Sequence, residues 1–198
     1  MEQEKPLRRR AQTRVRAGAD LRAVLTLLAL VVSACATTPR QPPPAPEFLL
    51  KLSPASLGRE VSLNQRITMV RDGDRKSFDA LLEVDASEVR VALIAMGQTL
   101  GTLTWDGAKF ESRVSTHVPP VVTAERIITD VQLAWWPEEA VRAALPAGFS
   151  LTETPGQRVL LKDGQPFVTV TWTEGRARVV LTQHRYGYAL EIDSAEAL

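Results

Sequence analysis

The sequence predicts an α+β domain dominated by antiparallel strands. Three observations carry that expectation. Apolar residues recur at every second position through much of the chain, Gly-containing dipeptides interrupt the alternation at short intervals, and one central stretch switches to helical spacing. A period of two gives each strand one face on a core. Short interruptions make consecutive strands antiparallel neighbours, since a tight turn returns the chain alongside itself.

Taken in order, Val61, Leu63, Ile67 and Met69 alternate with polar residues, as do Phe78, Ala80, Leu82 and Val84. Val89, Val91, Leu93 and Ala95 follow, then Leu103 with Trp105, then Phe110, Ser112 and Val114. Asp72-Gly73 and Asp106-Gly107 are expected to take the positive φ angles of tight hairpin turns, and Gly97 marks a further reversal. The middle of the chain then reads as helix. Ile127, Ile128, Val131, Ala134 and Trp135 share a stripe, Thr123 is the expected N-cap, and Glu125 suits the positive end of the helix dipole. A second helix has Pro137 at its first position, Glu138 and Glu139 in its first turn, and Val141, Ala144 and Leu145 as its buried stripe; Pro146 and Gly148 stop it. Strand pattern resumes with Leu151, Val159 to Leu161, Phe167 to Trp172, Val179 to Thr182, and Tyr186, Tyr188, Leu190 and Ile192, with turns at Asp163-Gly164 and Glu174-Gly175. The count is about five strands, two helices and about five more strands, with no fixed-period repeat.

Composition narrows the class. In 198 residues, 24 Lys and Arg balance 23 Asp and Glu, and 44% of positions are hydrophobic. That suits one globular domain with something appended, and argues against a disordered chain or a nucleic-acid binder working through a basic surface. A single Cys leaves no internal disulfide and no multi-Cys zinc site, and two His residues offer little to any other metal. The charge is uneven along the chain: residues 1–35 hold seven basic and three acidic residues, and 36–198 hold 17 basic and 20 acidic.

The first part has the order of an export signal: Arg8, Arg9, Arg10, Arg14, Arg16 and Arg22, then the apolar run Ala23 to Val32, then Ser33 and Ala34 immediately before Cys35. A bilayer span needs roughly 20 apolar residues, so a run of ten is too short for a permanent transmembrane helix. Val32-Ser33-Ala34-Cys35 resembles the lipobox of bacterial lipoproteins. The resemblance implies cleavage before Cys35 and attachment of acyl chains, palmitate among them, to that cysteine. Ala36, in the position that influences sorting, implies the outer membrane. The alternative reading is a free Cys in an N-terminal helix. Five prolines in the eleven residues from Ala36 to Pro46 read as an extended tether. The expected organisation is a signal at 1–34, a lipidated Cys35 with its tether at 35–46, and a domain at 47–198.

The order of motifs, and above all Val91-Ala92-Leu93-Ile94-Ala95-Met96-Gly97-Gln98-Thr99-Leu100, resembles the LolB-like outer-membrane lipoproteins of the LolA/LolB superfamily. It is equally similar to LolB-like lipoproteins found beside pathways that make lipid-like polyenes. Met96 stands where LolB itself has a protruding Leu. The resemblance implies a strongly curved, incompletely closed antiparallel sheet, an incomplete β-barrel whose apolar concave face is covered by a helical insert. It implies an outer-membrane, periplasm-facing protein that shelters acyl chains of lipoproteins or another amphiphile and assists their transfer without nucleotide. A LolA-like periplasmic carrier is then a partner, alongside membrane lipid held through acylated Cys35. Burying a methylene is worth about 0.8 kcal/mol, so acyl chains need such a shelter to cross water. Phe78, Leu82, Val91, Leu93, Trp105 and Trp135 are the cavity candidates on this reading. Met96 is the membrane-insertion candidate.

Catalytic chemistry finds no local support. There is no G-x-S-x-G and no phosphate-binding G-x-x-x-x-G-K-[ST], and His117 and His184 have no patterned nucleophile beside them. Asp72 with Asp74, and Glu138 with Glu139, sit at a turn and a helix start, where solvated carboxylates are ordinary. Trp135 fits the helix's buried face, whereas Trp136, beside the break at Pro137, fits either the core or a lid. The expectation is a monomeric non-enzyme with no catalytic residue, metal, cofactor or nucleic-acid partner. Two functions remain open: a lipid-handling carrier or receptor, which needs an open apolar cavity, and a structural accessory lipoprotein docking an envelope export or biosynthetic partner, whose interior Phe78, Leu82, Phe110 and Trp172 would fill.

Overall fold

A computed structural model describes residues 49–116, 118 and 121–197. The expected signal at 1–34, Cys35 with its tether, and His117 lie outside the described residues. Ten strands form one antiparallel sheet: β1 (Val61–Arg71), β2 (Asp74–Val84), β3 (Val89–Ala95), β4 (Gln98–Trp105), β5 (Phe110–Val114), β6 (Phe149–Thr154), β7 (Gln157–Lys162), β8 (Gln165–Thr173), β9 (Arg178–Gln183) and β10 (Tyr188–Glu196). Their spatial order is β5-β4-β3-β2-β1-β10-β9-β8-β7-β6, so β5 and β6 are edges and the sheet is open. Two five-stranded meanders thus run outward from a central seam, where β1 pairs with β10 from Leu63 opposite Glu196 to Val70 opposite Ala189.

The turns follow their residues, with one correction. Asp72-Gly73, Met96-Gly97 and Asp163-Gly164 have positive φ at both positions, the two-residue geometry that matches strand twist. Asp106-Gly107 does not: among its residues only Gly107 has positive φ, and the connection is four residues long between the paired Trp105 and Phe110. The reason is the Asp106 side chain, whose Oδ1 accepts from the backbone N–H of Ala108 and of Lys109 and so builds the turn itself. Each meander also carries an irregularity. Leu93 faces Gly101 while Ile94 faces Thr99, and Leu160 faces Val168 while Leu161 faces Pro166, leaving Leu100 and Phe167 as the extra residues. Such bulges bend and twist a strand locally.

Two helices follow β5: α1 (Ala124–Trp135) and α2 (Glu138–Ala143). Thr123 caps α1 as expected, its Oγ1 accepting from Arg126 N at 3.2 Å. Pro137 is the cap of α2 and not its first helical residue; Val141 is buried but Ala144 is exposed, because α2 is too short to carry a stripe. One face of the sheet is mostly apolar, with Gln65, Arg158 and Gln183 buried on it. Across it Val61 opposes Val84, Ile67 opposes both Phe78 and Ile192, and Val170 opposes Leu181. On the other face lie exposed cross-strand ion pairs such as Arg66–Asp79 and Arg178–Asp193, which contribute little to stability.

The core joins that apolar face to α1 and to the segment from Leu50 to Leu57. Four consecutive carbonyls at the C-terminal end of α1 are satisfied by side chains from β7, β8 and the connection between β8 and β9. Arg158, itself buried, donates to Leu133 O at 2.6 Å and Trp136 O at 3.0 Å; Trp172 Nε1 donates to Ala134 O, and Arg176 to Trp135 O. These would be orphan acceptors at any helix end. Here they fix α1 on the sheet.

Candidate functional site

Helix α1 stands over a cavity of about 420 Å³. Ile127, Val131 and Ala134 recur at helical spacing and form its roof with Trp135; Ile67, Phe78, Leu82 and Ile192, neighbours across β2, β1 and β10, form much of its floor. Leu100, the residue displaced by the bulge in β4, is also turned toward it. The volume lies in the range of ligand sites, about 300 to 1,000 Å³. Lys76 and Ser77 of β2, and Met96 and Gln98 at the β3–β4 turn, line one end. Met96 there is 100% exposed and held at φ 50°, so the cavity opens beside a methionine that touches solvent on every side and occupies a backbone region side chains avoid.

Phe78, Leu82, Val91, Leu93 and Trp135 therefore come together around this space, with Met96 at its rim. Trp105 does not join them. It is buried at the opposite end of the same face, where its Nε1 donates to Leu52 O at 2.7 Å beneath the N-terminal segment. Trp136 is no lid either: it is fully buried and donates to Ser53 O and Ser56 Oγ. Trp172 and Phe110 are not among the cavity's lining residues; Trp172 sits instead against Arg158 and Arg176.

One lining group escaped the sequence reading. Asp130 is 7% exposed and belongs to the wall of a mostly apolar space, which the buried Gln65 also lines. Gln183 Nε2 donates to its Oδ1, and the Tyr188 hydroxyl approaches Oδ2 at 3.4 Å. Burial pushes its carboxyl up to about 7, against the pull of the Gln183 hydrogen bond and the nearby Arg126. Burial and the adjacent Asp130 likewise push the Tyr188 hydroxyl up, so it stays neutral. The Arg126 guanidinium, 3% exposed, lies 3.5 Å over the Tyr186 ring with no hydrogen-bond partner, and Gln183 Oε1 has none. The signal was present in the sequence: Asp130 interrupts a stripe made by Ile127, Ile128, Val131 and Ala134.

Two further hollows, of about 690 and 520 Å³, are charged, with Arg59, Glu83 and Arg90 in one and Glu138, Glu153 and Arg176 in the other. Among the described residues no group of three or more His, Cys, Asp and Glu could hold a metal, and no helix is long and apolar enough to cross a membrane. His184 Nε2 lies 2.8 Å from Thr169 Oγ1 in an exposed pairing.

The chain is thus an open ten-stranded antiparallel-sheet protein with a helix-roofed, mostly apolar cavity. It belongs to the family described as "Protein of unknown function (DUF3261)", whose model matches residues 62–196, from the start of β1 to the end of β10. No curated protein matches it.

Proposed function

We propose that this protein is a lipid-handling carrier or receptor of LolB-like type, which takes acyl chains of lipoproteins or another amphiphile into the cavity beneath α1 and assists their insertion at the outer membrane. The observation that supports it is a cavity of about 420 Å³ with apolar walls, open beside an exposed methionine. The accessory-protein alternative requires a filled interior, and Phe78 and Leu82 line a space they do not fill. On this reading the strongly curved, incomplete barrel of the LolA/LolB superfamily is the scaffold, Cys35 the lipid anchor and the Pro-rich tether the spacer. Met96 dips into the headgroup region, where its burial contributes on the order of 1 to 2 kcal/mol, enough to orient a tethered domain. Transfer runs downhill between partners of rising affinity.

Native mass spectrometry of the full chain carrying Cys35→Ala tests the reading. A co-purifying lipid or acyl peptide, displaced by the hydrocarbon probe diphenylhexatriene with saturable binding, is the expected result. An empty protein that binds no probe would overturn it.

A further inference from the structure

The cavity is not uniformly apolar, and the carboxyl in its wall is incompletely satisfied. A carboxylate offers about four acceptor sites. Asp130 has one good bond on Oδ1, from Gln183, while Oδ2 has only the long 3.4 Å approach of Tyr188, well beyond the 2.7 to 2.8 Å typical of such bonds. Arg126, one helical turn away on α1, does not supply the missing donor. Its guanidinium is stacked on Tyr186 and none of its three nitrogens makes a hydrogen bond. A buried acceptor left short in this way is costly unless something else fills it.

Resting on the carrier reading, we infer that the cavity selects chain amphiphiles that carry a neutral hydrogen-bond donor, a hydroxyl or an amide N–H, which seats on Asp130 Oδ2. The charges present decide the class of donor. Arg126 already balances the Asp130 carboxylate within the same buried region, with Gln183, Tyr186 and Tyr188 around the pair; Gln65, Gln98 and Lys76 also line the cavity, Gln65 buried and the other two exposed. An added ammonium would leave net positive charge in an apolar space, and an added carboxylate would oppose Asp130 directly. A hydroxyl or amide does neither. Bare hydrocarbon would fit the walls and leave Oδ2 short.

Two isomeric probes of equal size separate these cases: dodecanol, which has a donor, and methoxyundecane, which has only an acceptor. Each is titrated against diphenylhexatriene bound to the full Cys35→Ala chain at about pH 8.5, where the carboxyl is ionised. Dodecanol is expected to displace the probe at about fivefold to tenfold lower concentration, the worth of one hydrogen bond. Asp130→Asn turns the Oδ2 position into an N–H donor, so the preference, measured against the variant's own diphenylhexatriene affinity, should shrink to within about twofold or invert. If the wild type binds diphenylhexatriene but does not discriminate between the isomers, or if Asp130→Asn keeps the preference, the Asp130 seat is overturned while the cavity stands. Failure to bind diphenylhexatriene at all overturns the carrier reading itself.

Discussion

The Gln132 side chain pairs with the backbone of Leu52 as one peptide group pairs with another: Leu52 N–H donates to Gln132 Oε1 at 3.3 Å and Gln132 Nε2 donates to Leu52 O at 3.2 Å. Gln132 is fully buried, and Thr129 Oγ1, one turn earlier on α1, accepts from Leu50 N. A segment outside the sheet thus finds backbone partners on a helix.

Gln132→Leu keeps the volume and removes both bonds. The Leu52 N–H is then buried without an acceptor, at a cost of about 1 to 3 kcal/mol. Urea denaturation should show a lower midpoint with unchanged slope. An unchanged midpoint would mean that water replaces the amide.

Asp130 makes stability depend on pH in a stated direction. Its carboxyl titrates at 3.8 when unfolded and at about 7 when folded. Between those values the folded state holds a proton that the unfolded state has lost. Its contribution is therefore fully present below about 3.8, declines as pH rises toward about 7 and is flat above. Asp130→Asn has no such proton. Each tenfold difference in proton affinity is worth about 1.4 kcal/mol, so the wild type should gain on the variant by a few kcal/mol on going from about pH 8 to about pH 4. A stability difference that stays flat over that range would give Asp130 an ordinary carboxyl.

Met96 sits where Asn or Gly would be at ease. Met96→Asn relieves the positive-φ strain and should raise stability by about 0.5 to 1 kcal/mol. Met96→Glu should leave the fold intact. Both should weaken liposome binding, measured by co-flotation, by several-fold, because each removes the exposed thioether. Equal co-flotation of wild type and both variants would remove Met96 from membrane contact.

Val131 is half-buried and faces the cavity, so Val131→Trp should occupy the space and reduce diphenylhexatriene affinity by about tenfold or more with little loss of stability. Trp105→Phe should do the reverse. It removes a donor from Leu52 O, lowering stability by about 1 kcal/mol while probe binding holds. Any other pairing of these effects would mean that the cavity and the N-terminal clamp are not separate.

Cys35→Ala should abolish acylation, leaving an unprocessed chain or a soluble periplasmic protein, as read by fractionation and intact mass. Cleavage before residue 35 with continued need for detergent would sink the lipid-anchor reading.

Alternation and turn chemistry made the two meanders legible, because each strand's face and each two-residue reversal are decided locally. Alternation does not say where along a face a residue lies. Trp105 shares the buried face of Val91 and Leu103, yet it sits at the end covered by Leu52 and not under Val131. Side-chain pairings across some 80 residues, such as Gln132 with Leu52, leave no periodic trace, so the segment before β1 read as nothing in particular. The helical stripe was found by counting apolar positions, and that count passed over Asp130, the one carboxyl within it.

The seam between β1 and β10 is the one strand pairing that joins distant parts of the chain; the others join strands adjacent in sequence. Each meander can form from local contacts, and the join must await the last strand, across a closure of more than a hundred residues. Until then β1 and β10 are exposed edges carrying Ile67, Met69, Leu190 and Ile192, the kind of edge that recruits other chains. Loss of the final strand would uncover β1 and β9 in the middle of the sheet. A cut between β5 and α1, by contrast, would leave two fragments each presenting the edge the other needs, and mixing them should restore the protein.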